Sequence, residues 1–423
     1  MLHILRFHFE QYYLPGKPKL ALLAVCELSA AGHIARACIS DQTDALQKIA
    51  AKNTRLDVIA EQAGIALLDF SVPWRLQPVH IAKPWGQEIW YTGIEARGVS
   101  GIVSGTGTTP LPWAISLAQQ QVLGHHQQPN LLKILDPLPD AVYGDLYFEL
   151  HEQKREVYIV THIDERAWPS GIGAIRFGFS AGKRAQFSSD ADFLEAYRTA
   201  VREYHTVRRD IDAQLDACRE RDGIALNAPV TALQTQQWLS EVPLALRQHE
   251  QYMREAMERF TAMRDLRVGD VLAVPLRTPH ALQHGVRTVE FQTPVYERKI
   301  LSFAQKVLTQ ADWDTDEALQ LAQLQTPTDE VFPVLRDSDG VKIEQIVQFD
   351  DFTVQRIYLA SGAFLSCETH AQYFLVMAVT GCVHCGNKDL AAEQAVLVPA
   401  SARTVNLANE GDAEAVVLLA RPA

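Results

Sequence analysis

The spacing of hydrophobic and polar positions changes several times along the chain, and each change predicts a different kind of element. In residues 1–75, short apolar runs such as LALLAVCEL (20–28) alternate with a helical-looking stretch, TDALQKIAAKNTRLDVIAEQAG (43–64). Apolar residues recur there at helical spacing, and Gly64 follows the last of them as a candidate C-cap. The pattern predicts a small α/β segment.

Residues 78–180 have a different pattern, in which short runs rich in Val, Ile, Tyr and Trp are separated by Gly, Pro and Asp. Such runs indicate successive antiparallel strands. The runs are KPWGQEIWYTG, PNLLKILDP, GDLYFELHE, REVYIVTHI and GIGAIRFGF.

A period near 3.6 residues follows over 187–265 and predicts helices. Apolar side chains form two stripes there: Phe193, Tyr197, Val201, Tyr204, Ile211 and Leu215, and then Met253, Met257 and Phe260. Strand character returns in VGDVLAVPLRTPHALQHGVRTVEFQTP (268–294). Residues 312–325 favour a helix with Asp314 or Thr315 as N-cap. Short strands with frequent turn signals then continue to the end, which is typical of a β-sandwich or barrel.

Composition narrows the functional classes. The chain has 423 residues, six cysteines and a formal net charge of -12. An excess of acidic residues argues against general nucleic-acid binding, which needs clustered Lys and Arg. Arg6 and Glu10 interrupt the opening residues, so a signal peptide is not expected, and no apolar run is long enough for a membrane span. Together with the irregular cysteine spacing, these features predict a cytoplasmic protein without a membrane partner.

The segment GDLYFELHEQKREVYIVTHID (144–164) carries the chemistry. Alternate side chains of a strand share a face, so Glu149 and His151 are expected to point the same way. A turn then brings Glu156 onto the next strand. Far downstream, a second pattern consists of Gly269, Pro275 six residues later and His280 five residues after that. Two carboxylates and two imidazoles form a set suited to zinc, iron or manganese.

These two spaced patterns resemble the two sequence motifs of the cupin superfamily, whose jelly-roll barrel carries a metal inside. The surrounding sequence is similar to the type I mannose-6-phosphate isomerases in KPWGQEIW (83–90), NLLKILDP (130–137), FELH (148–151), QKRE (153–156) and GDVLAVPLRTPHALQHGVRTVEFQ (269–292). The resemblance covers roughly residues 78–423. Only the N-terminal segment lies outside it.

The resemblance implies a role for particular residues. It implies Zn²⁺, or another divalent transition metal, held by Glu149, His151, Glu156 and His280. Lys133 and Lys154 match family lysines near the metal that hold a sugar phosphate or polarise a hydroxyl. Arg298 is the best match to the catalytic arginine, so Lys154 and Arg298 are the expected catalytic residues. The alternative for Arg298 is a salt bridge at a helix start or between domains.

Three departures from the family pattern bear on the substrate. Glu149 stands where the family has a neutral Gln, which adds negative charge to the site. Only four residues separate His151 from Glu156, so a loop that walls the family's pocket is short here. Arg277 replaces a glycine, and either binds a substrate anion beside the metal or packs over the barrel mouth.

We therefore expect a mainly β protein with two cupin jelly-roll barrels, a helical insertion in or after the first, and a small α/β N-terminal segment. The expected division is 1–75 (N-terminal segment), 76–185 with 266–310 (catalytic barrel), 186–265 (helical insertion), 311–330 (helical connector) and 331–423 (barrel without metal).

The expected activity is metal-dependent aldose–ketose isomerisation of a small sugar phosphate, most directly between mannose 6-phosphate and fructose 6-phosphate. The alternatives are a cupin that acts on an unphosphorylated sugar, a cupin oxygenase, and a sugar-binding cupin without catalysis. The sequence does not indicate an oligomeric state.

Overall fold

The computed structural model describes residues 1–105, 107–325, 327 and 331–423. Strands make up 38% of it and helices 24%, which confirms the expected mainly β class. The chain forms two compact units: unit 1 comprises Met1–Ile81, Ile89–Lys133 and Val331–Ala423, and unit 2 comprises Ala82–Glu88 and Ile134–Glu330. Residues 89–133 are thus grouped with the C-terminal segment. The assignment of a catalytic and a metal-free domain stays a prediction.

The N-terminal part of unit 1 is a four-stranded antiparallel sheet covered by two helices. Its strands, in spatial order, are β1 (Leu2–Glu10), β2 (Lys19–Leu28), β3 (Ile34–Ser40) and β4 (Leu68–Asp69). Leu23 and Val25 of β2 pack against Leu46, Leu56 and Ile59 of the helices. The burial of these apolar side chains between sheet and helices holds the layer together.

The single helical stretch expected over residues 43–64 is wrong in one respect, because it is two helices, α1 (Thr43–Ala50) and α2 (Leu56–Ala63). The Asn53 side-chain amide donates to the Ile49 carbonyl at 2.9 Å. The same carbonyl accepts from the Lys52 N–H at 3.1 Å, so both bonds occupy it at the end of α1. Gly64 caps α2 at φ 66°, as its position predicts.

The rest of unit 1 contains a nine-stranded and a four-stranded sheet. The first has the order β11 (Gly107–Pro110), β10 (Gly101–Ser104), β5 (Trp74–Gln77), β28 (Ala395–Val398), β25 (Phe374–Thr380), β30 (Ala415–Pro422), β23 (Phe352–Leu359), β22 (Val341–Gln348) and β21 (Val334–Ser338). The second has the order β24 (Phe364–Glu368), β29 (Thr404–Ala408), β26 (Val383–Cys385) and β27 (Lys388–Leu390). Smaller elements are β8 (Ile94–Glu95), β9 (Gly98–Val99), α3 (Leu111–Leu117), α4 (Gln119–Leu123) and a 3₁₀ turn at Ala400–Ala402.

Two further sheets are formed mostly by residues of unit 2. The five-stranded sheet has the order β16 (Thr261–Leu266), β15 (Gly173–Phe179), β18 (His280–Leu282), β13 (Phe148–Leu150) and β20 (Lys299–Ser302). The other has the order β17 (Val271–Val274), β14 (Glu156–Ile163), β19 (Val286–Gln292), β12 (Leu131–Pro137), β7 (Gly86–Trp90) and β6 (Val79–Lys83). The chain passes from one unit to the other within each of the last three strands.

The two units share one strand arrangement. The order β13-β18-β15-β16 in unit 2 corresponds to β24-β29-β26-β27 in unit 1, and β17-β14-β19-β12 corresponds to β28-β25-β30-β23. In each unit, side chains from both sheets meet in one apolar core. Each unit therefore contains a two-sheet sandwich of the same design.

Unit 2 also contains helices α5 (Ala181–Arg184), α6 (Asp190–Arg221), α7 (Ala232–Glu241), α8 (Leu244–Glu258) and α9 (Thr315–Leu321). Helices α6, α8 and α9 pack on the outer face of the five-stranded sheet, and α7 packs against the C-terminal part of α6. All six members of the first predicted apolar stripe are buried in α6, which confirms it. Asp314 is the N-cap residue of α9.

The helical pattern expected up to residue 265 ends early. Helix α8 stops at Glu258, and Thr261–Leu266 is strand β16, which pairs with β15 from Gly173 to Phe179. The backbone groups of β15 need partners along this edge, and β16 supplies them.

In the described part of the chain, no helix is both long and apolar enough to cross a membrane.

Gly144 leads the chain into β13 through a gap that admits no side chain. A Cβ there would lie 1.9 Å from the Leu138 carbonyl oxygen and 2.7 Å from Cβ of His284. We expect Gly144→Ala to lower the free energy of unfolding by about 2 kcal/mol, because backbone must move to make room. Chemical denaturation measures this.

The matched control is Gly182→Ala in α5, where an added Cβ has no described atom within 4 Å. This change should leave the stability unaltered or raise it slightly, since Ala favours a helix more than Gly does. Equal losses in the two variants would contradict the steric explanation.

Candidate metal centre

Strand alternation points four polar side chains into the sandwich of unit 2. Phe148 and Leu150 of β13 pack outward among the residues that contact α6, so Glu149 and His151 face inward. Tyr158 of β14 and Leu282 of β18 lie in the core between the sheets. Side chains two residues apart on a strand share a face, so Glu156 and His280 also point inward.

Three of these side chains form a compact buried cluster. The Glu156 carboxylate Oε2 lies 3.2 Å from Nε2 of His280 and 3.4 Å from Nε2 of His151. One ligand atom from each residue lies within 4.8 Å of the other two. Each residue is only 2% exposed. Two imidazole nitrogens and a carboxylate oxygen at such distances can be bridged by one metal ion.

Both histidines are oriented by main-chain carbonyls. Nδ1 of His151 lies 3.0 Å from the carbonyl oxygen of Glu297, and Nδ1 of His280 lies 3.0 Å from that of Thr278. Since a carbonyl only accepts, each Nδ1 carries the hydrogen and each Nε2 presents its lone pair to the cluster. Metal-binding histidines are commonly held in this way.

Glu149 lies at the open side of the cluster. Its Oε1 is 3.8 Å from Nε2 of His151, and its Oε2 is 3.7 Å from Nη1 of Arg298. Among the described residues, neither Oε2 of Glu149 nor Nε2 of His151 has a hydrogen-bond partner, although both atoms are buried. Buried polar atoms without partners are rare, and a bound cation would satisfy these two. The residues present therefore fit a divalent metal ion.

The cluster keeps its central carboxylate ionised. Burial opposes the charge on Glu156, but the Lys154 ammonium outweighs burial and holds the pKa of this carboxyl well below the usual range. Lys154 Nζ lies 2.5 Å from Oε1, and the Tyr158 hydroxyl donates to Oε2 at 2.8 Å. Glu156 is thus in the charged state that a metal ligand needs.

Arg298 is held beside Glu149 within unit 2. Its guanidinium lies 4.6 Å from the centroid of the Tyr147 ring, and Nη2 donates to the Thr309 hydroxyl at 2.8 Å. Burial acts to lower the pKa of Arg298, but Glu149 and neighbouring tyrosines more than offset it and the pKa is raised. Arg298 is therefore a fixed cation at the edge of the cluster.

The other two predicted substrate residues lie in different settings. Arg277 is exposed, and its side chain makes no hydrogen bond or ion pair with any described residue. Its backbone holds the site instead, because at φ 64° its N–H donates to the His151 carbonyl at 2.7 Å. Lys133 is buried in β12 as the last residue of unit 1. Substrate roles for both residues stay predictions.

Sequence reasoning missed Glu297 and Tyr158. Besides its carbonyl bond to His151, Glu297 accepts through its carboxylate from the backbone N–H groups of Glu152 and Gln153, at 2.9 and 3.2 Å. It thereby fixes the turn between two cluster strands. No local pattern predicts this long-range contact. Tyr158 was detectable, because it lies two residues after Glu156 on one strand and so shares its face.

Comparisons with known proteins show the fold. The structure is similar to mannose 6-phosphate isomerase from Bacillus subtilis, with a TM-score of 0.57, 13% identity, and 82% of this chain and 99% of that one covered. It is also similar to a phosphomannose isomerase variant from Salmonella typhimurium (TM-score 0.54, 14% identity, 83% and 99%) and to a zinc-bound mannose 6-phosphate isomerase (0.51, 13%, 83% and 99%).

No family model matches the sequence, and no curated protein matches it. The solved structures are covered almost completely, whereas part of this chain has no counterpart in them. At such low identity the similarity establishes a common fold with phosphomannose isomerases.

We expect His280→Ala to weaken metal binding by about 100-fold or more, because it removes one of three buried ligand atoms. Chelator competition gives the affinity, and elemental analysis gives the metal content of the purified protein. The wild-type chain should bind one divalent transition metal ion.

His162→Ala is the matched control, since His162 is exposed on the same strand as Glu156. It should bind metal as the wild type does. Equal metal affinity in the His280→Ala variant and this control would show that the cluster is not the binding site.

Proposed function

We propose that this protein is a metal-dependent aldose–ketose isomerase of a sugar phosphate, most directly mannose 6-phosphate and fructose 6-phosphate. The observation that carries the proposal is the buried cluster of His151, Glu156 and His280 in a fold shared with phosphomannose isomerases. The matching strand orders of the two units support two cupin jelly-roll barrels, of which the one in unit 2 is catalytic.

The proposed ligands of the metal are His151, Glu156, His280 and Glu149. Nitrogen and carboxylate oxygen ligands suit Zn²⁺, our first choice, and also iron and manganese. When bound, such an ion supplies a Lewis acid that stabilises oxyanion charge on the substrate. The inward direction of both Nε2 atoms and the ionised state of Glu156 support this ligand set.

Isomerisation moves a proton between adjacent carbons and passes through an enediolate, which carries negative charge. Lys154 and Arg298 are the proposed catalytic residues because the buried Lys154 and the partly buried Arg298 are cations held beside Glu156 and Glu149. Fixed cations in a low-dielectric interior stabilise developing negative charge without having to reorganise. Lys154 can also donate a hydrogen bond to a substrate oxygen.

The phosphate needs a cation farther out. Arg277 suits this role because its side chain is exposed, while its own backbone N–H donates to the His151 carbonyl and so keeps the residue close to the cluster. Lys133 and Lys154 are the other proposed substrate-binding residues, since both match lysines of the isomerase motifs. The short turn between His151 and Glu156 leaves this side of the site more open to substrate than a longer loop would.

One observation favours a second candidate. Two histidines and one carboxylate are also the ligand set of non-haem iron oxygenases. Purified protein that retains iron and consumes oxygen with an organic substrate would support an oxygenase. Zinc content with isomerisation and no oxygen uptake would exclude it.

The isomerase proposal predicts that metal-loaded protein converts mannose 6-phosphate to fructose 6-phosphate and that a chelator abolishes the reaction. Lys154→Met and Arg298→Gln should each lower kcat by about 100-fold, because each removes a cation from the developing oxyanion. A coupled assay for fructose 6-phosphate measures this. Mannose in place of the phosphate ester tests whether the phosphate is required.

Lys299→Met is the matched control, because Lys299 follows Arg298 in the chain and pairs instead with Glu317 and Glu152. Its kcat should be unchanged. Absence of turnover with zinc, manganese, iron and cobalt, in protein shown to bind these metals, would contradict the proposal.

A further inference from the structure

A second cavity lies in the helical part of unit 2, and it shares no lining residue with the metal cluster. It has a volume of about 340 Å³ and is bounded by helices α6, α7 and α8 and by two loops around Tyr143 and Lys306. A volume of this size is enough for a small organic molecule.

The wall of this cavity is strongly cationic. One carboxylate, that of Glu250, lines it beside five cations: Arg208, Arg219, Arg247, Arg254 and Lys306. Two of the cations, Arg208 and Arg219, are 4% and 6% exposed. Partners of some of these cations lie behind the wall, since Arg208 pairs with Asp212 at 2.7 Å and Lys306 with Asp216 at 2.7 Å. The face turned to the cavity keeps a positive excess.

Two of these cations have weak compensation in the described part of the chain. The side chain of Arg247 donates to the Val242 carbonyl at 3.2 Å and contacts no described carboxylate. Arg219 donates to the Ala228 carbonyl at 2.7 Å, and its nearest carboxylate, on Asp216, is 3.8 Å away. Arg219 is buried and Arg247 is partly buried. Burying a poorly compensated cation such as Arg219 is costly, and an anion in the cavity would offset that cost.

The loop that closes the cavity is conformationally strained. Val142 lines the cavity at φ 70°, a conformation that a β-branched residue rarely adopts. The next residue, Tyr143, is held by the Gln305 side-chain amide, which donates to the Tyr143 carbonyl at 2.8 Å. Strain of this kind is retained where the surrounding structure uses the resulting geometry, often at ligand sites.

Apolar side chains form another part of the wall, beside several polar ones. They include Ile211, Leu215, Trp238, Leu239 and Leu308. An inorganic ion alone would contact the cations and leave this apolar surface unused. The wall therefore matches a ligand that has a charged end and an apolar or planar end.

We propose that this cavity binds a small organic anion of the phosphate monoester class, with its phosphate among the arginines and its apolar portion against Trp238 and Leu239. Several guanidinium groups converging on one volume suit a multiply charged oxyanion, because each planar fork donates two parallel hydrogen bonds. This site is separate from the metal cluster and does not depend on the isomerase activity.

The experiment uses phenyl phosphate as the probe, with inorganic phosphate and phenol as its two halves, and isothermal titration calorimetry on the full chain. Phenyl phosphate should bind at least about tenfold more tightly than either half. Arg247→Gln should weaken its binding by about tenfold or more, since a charge-assisted hydrogen bond is lost. Arg259→Gln, on an exposed arginine at the end of the same helix, should leave it unchanged.

A second variant guards against loss of folding in the first. Leu239→Trp keeps every cation and fills the apolar end, so it should weaken phenyl phosphate and leave inorganic phosphate unaffected. His280→Ala should bind phenyl phosphate as the wild type does. Loss of binding in His280→Ala would place the anion at the metal cluster, and equal binding by Arg247→Gln and Arg259→Gln would overturn the proposal.

Discussion

The ionised carboxylate of Glu156 inside the sandwich is the constraint on which the arrangement of unit 2 depends. A buried charge without partners costs several kcal/mol, so the surrounding elements must supply compensation. Lys154 contacts one oxygen, and the Tyr158 hydroxyl donates to the other. Both partners come from β14 and the turn before it. The register of β13 against β18, with Glu149 opposite His280, brings the two histidines beside this carboxylate.

Charge balance links the cluster to the proposed chemistry. The carboxylates of Glu149 and Glu156 are matched by the cations of Lys154 and Arg298, so with neutral imidazoles the site is close to neutral. A bound divalent cation would leave a positive excess in a buried site. Such an excess favours an anionic substrate or intermediate. The acidic Glu149 is therefore compatible with an isomerase site, because Arg298 offsets its charge.

Local patterns predicted the strands, the main helix and the inward direction of Glu149 and His151, because alternation and helical periodicity depend on neighbours in the sequence. They failed where a distant partner decides the outcome. Thr261 begins a strand because β15 offers it an edge. Glu297 lies more than 140 residues after the turn at 152–153 whose N–H groups it accepts from, so no local sequence pattern indicates this contact. The spacing of residues in the sequence likewise does not predict the ion pair between Arg298 and Glu149.

The most direct test is anomalous diffraction from crystals of the metal-loaded protein, recorded at the absorption edge of the bound metal. The account predicts one peak about 2.0–2.2 Å from Nε2 of His151, Nε2 of His280 and a carboxylate oxygen of Glu156. Glu149 should be the fourth protein ligand. A peak elsewhere in the molecule at full metal occupancy, with none among these atoms, would contradict the account.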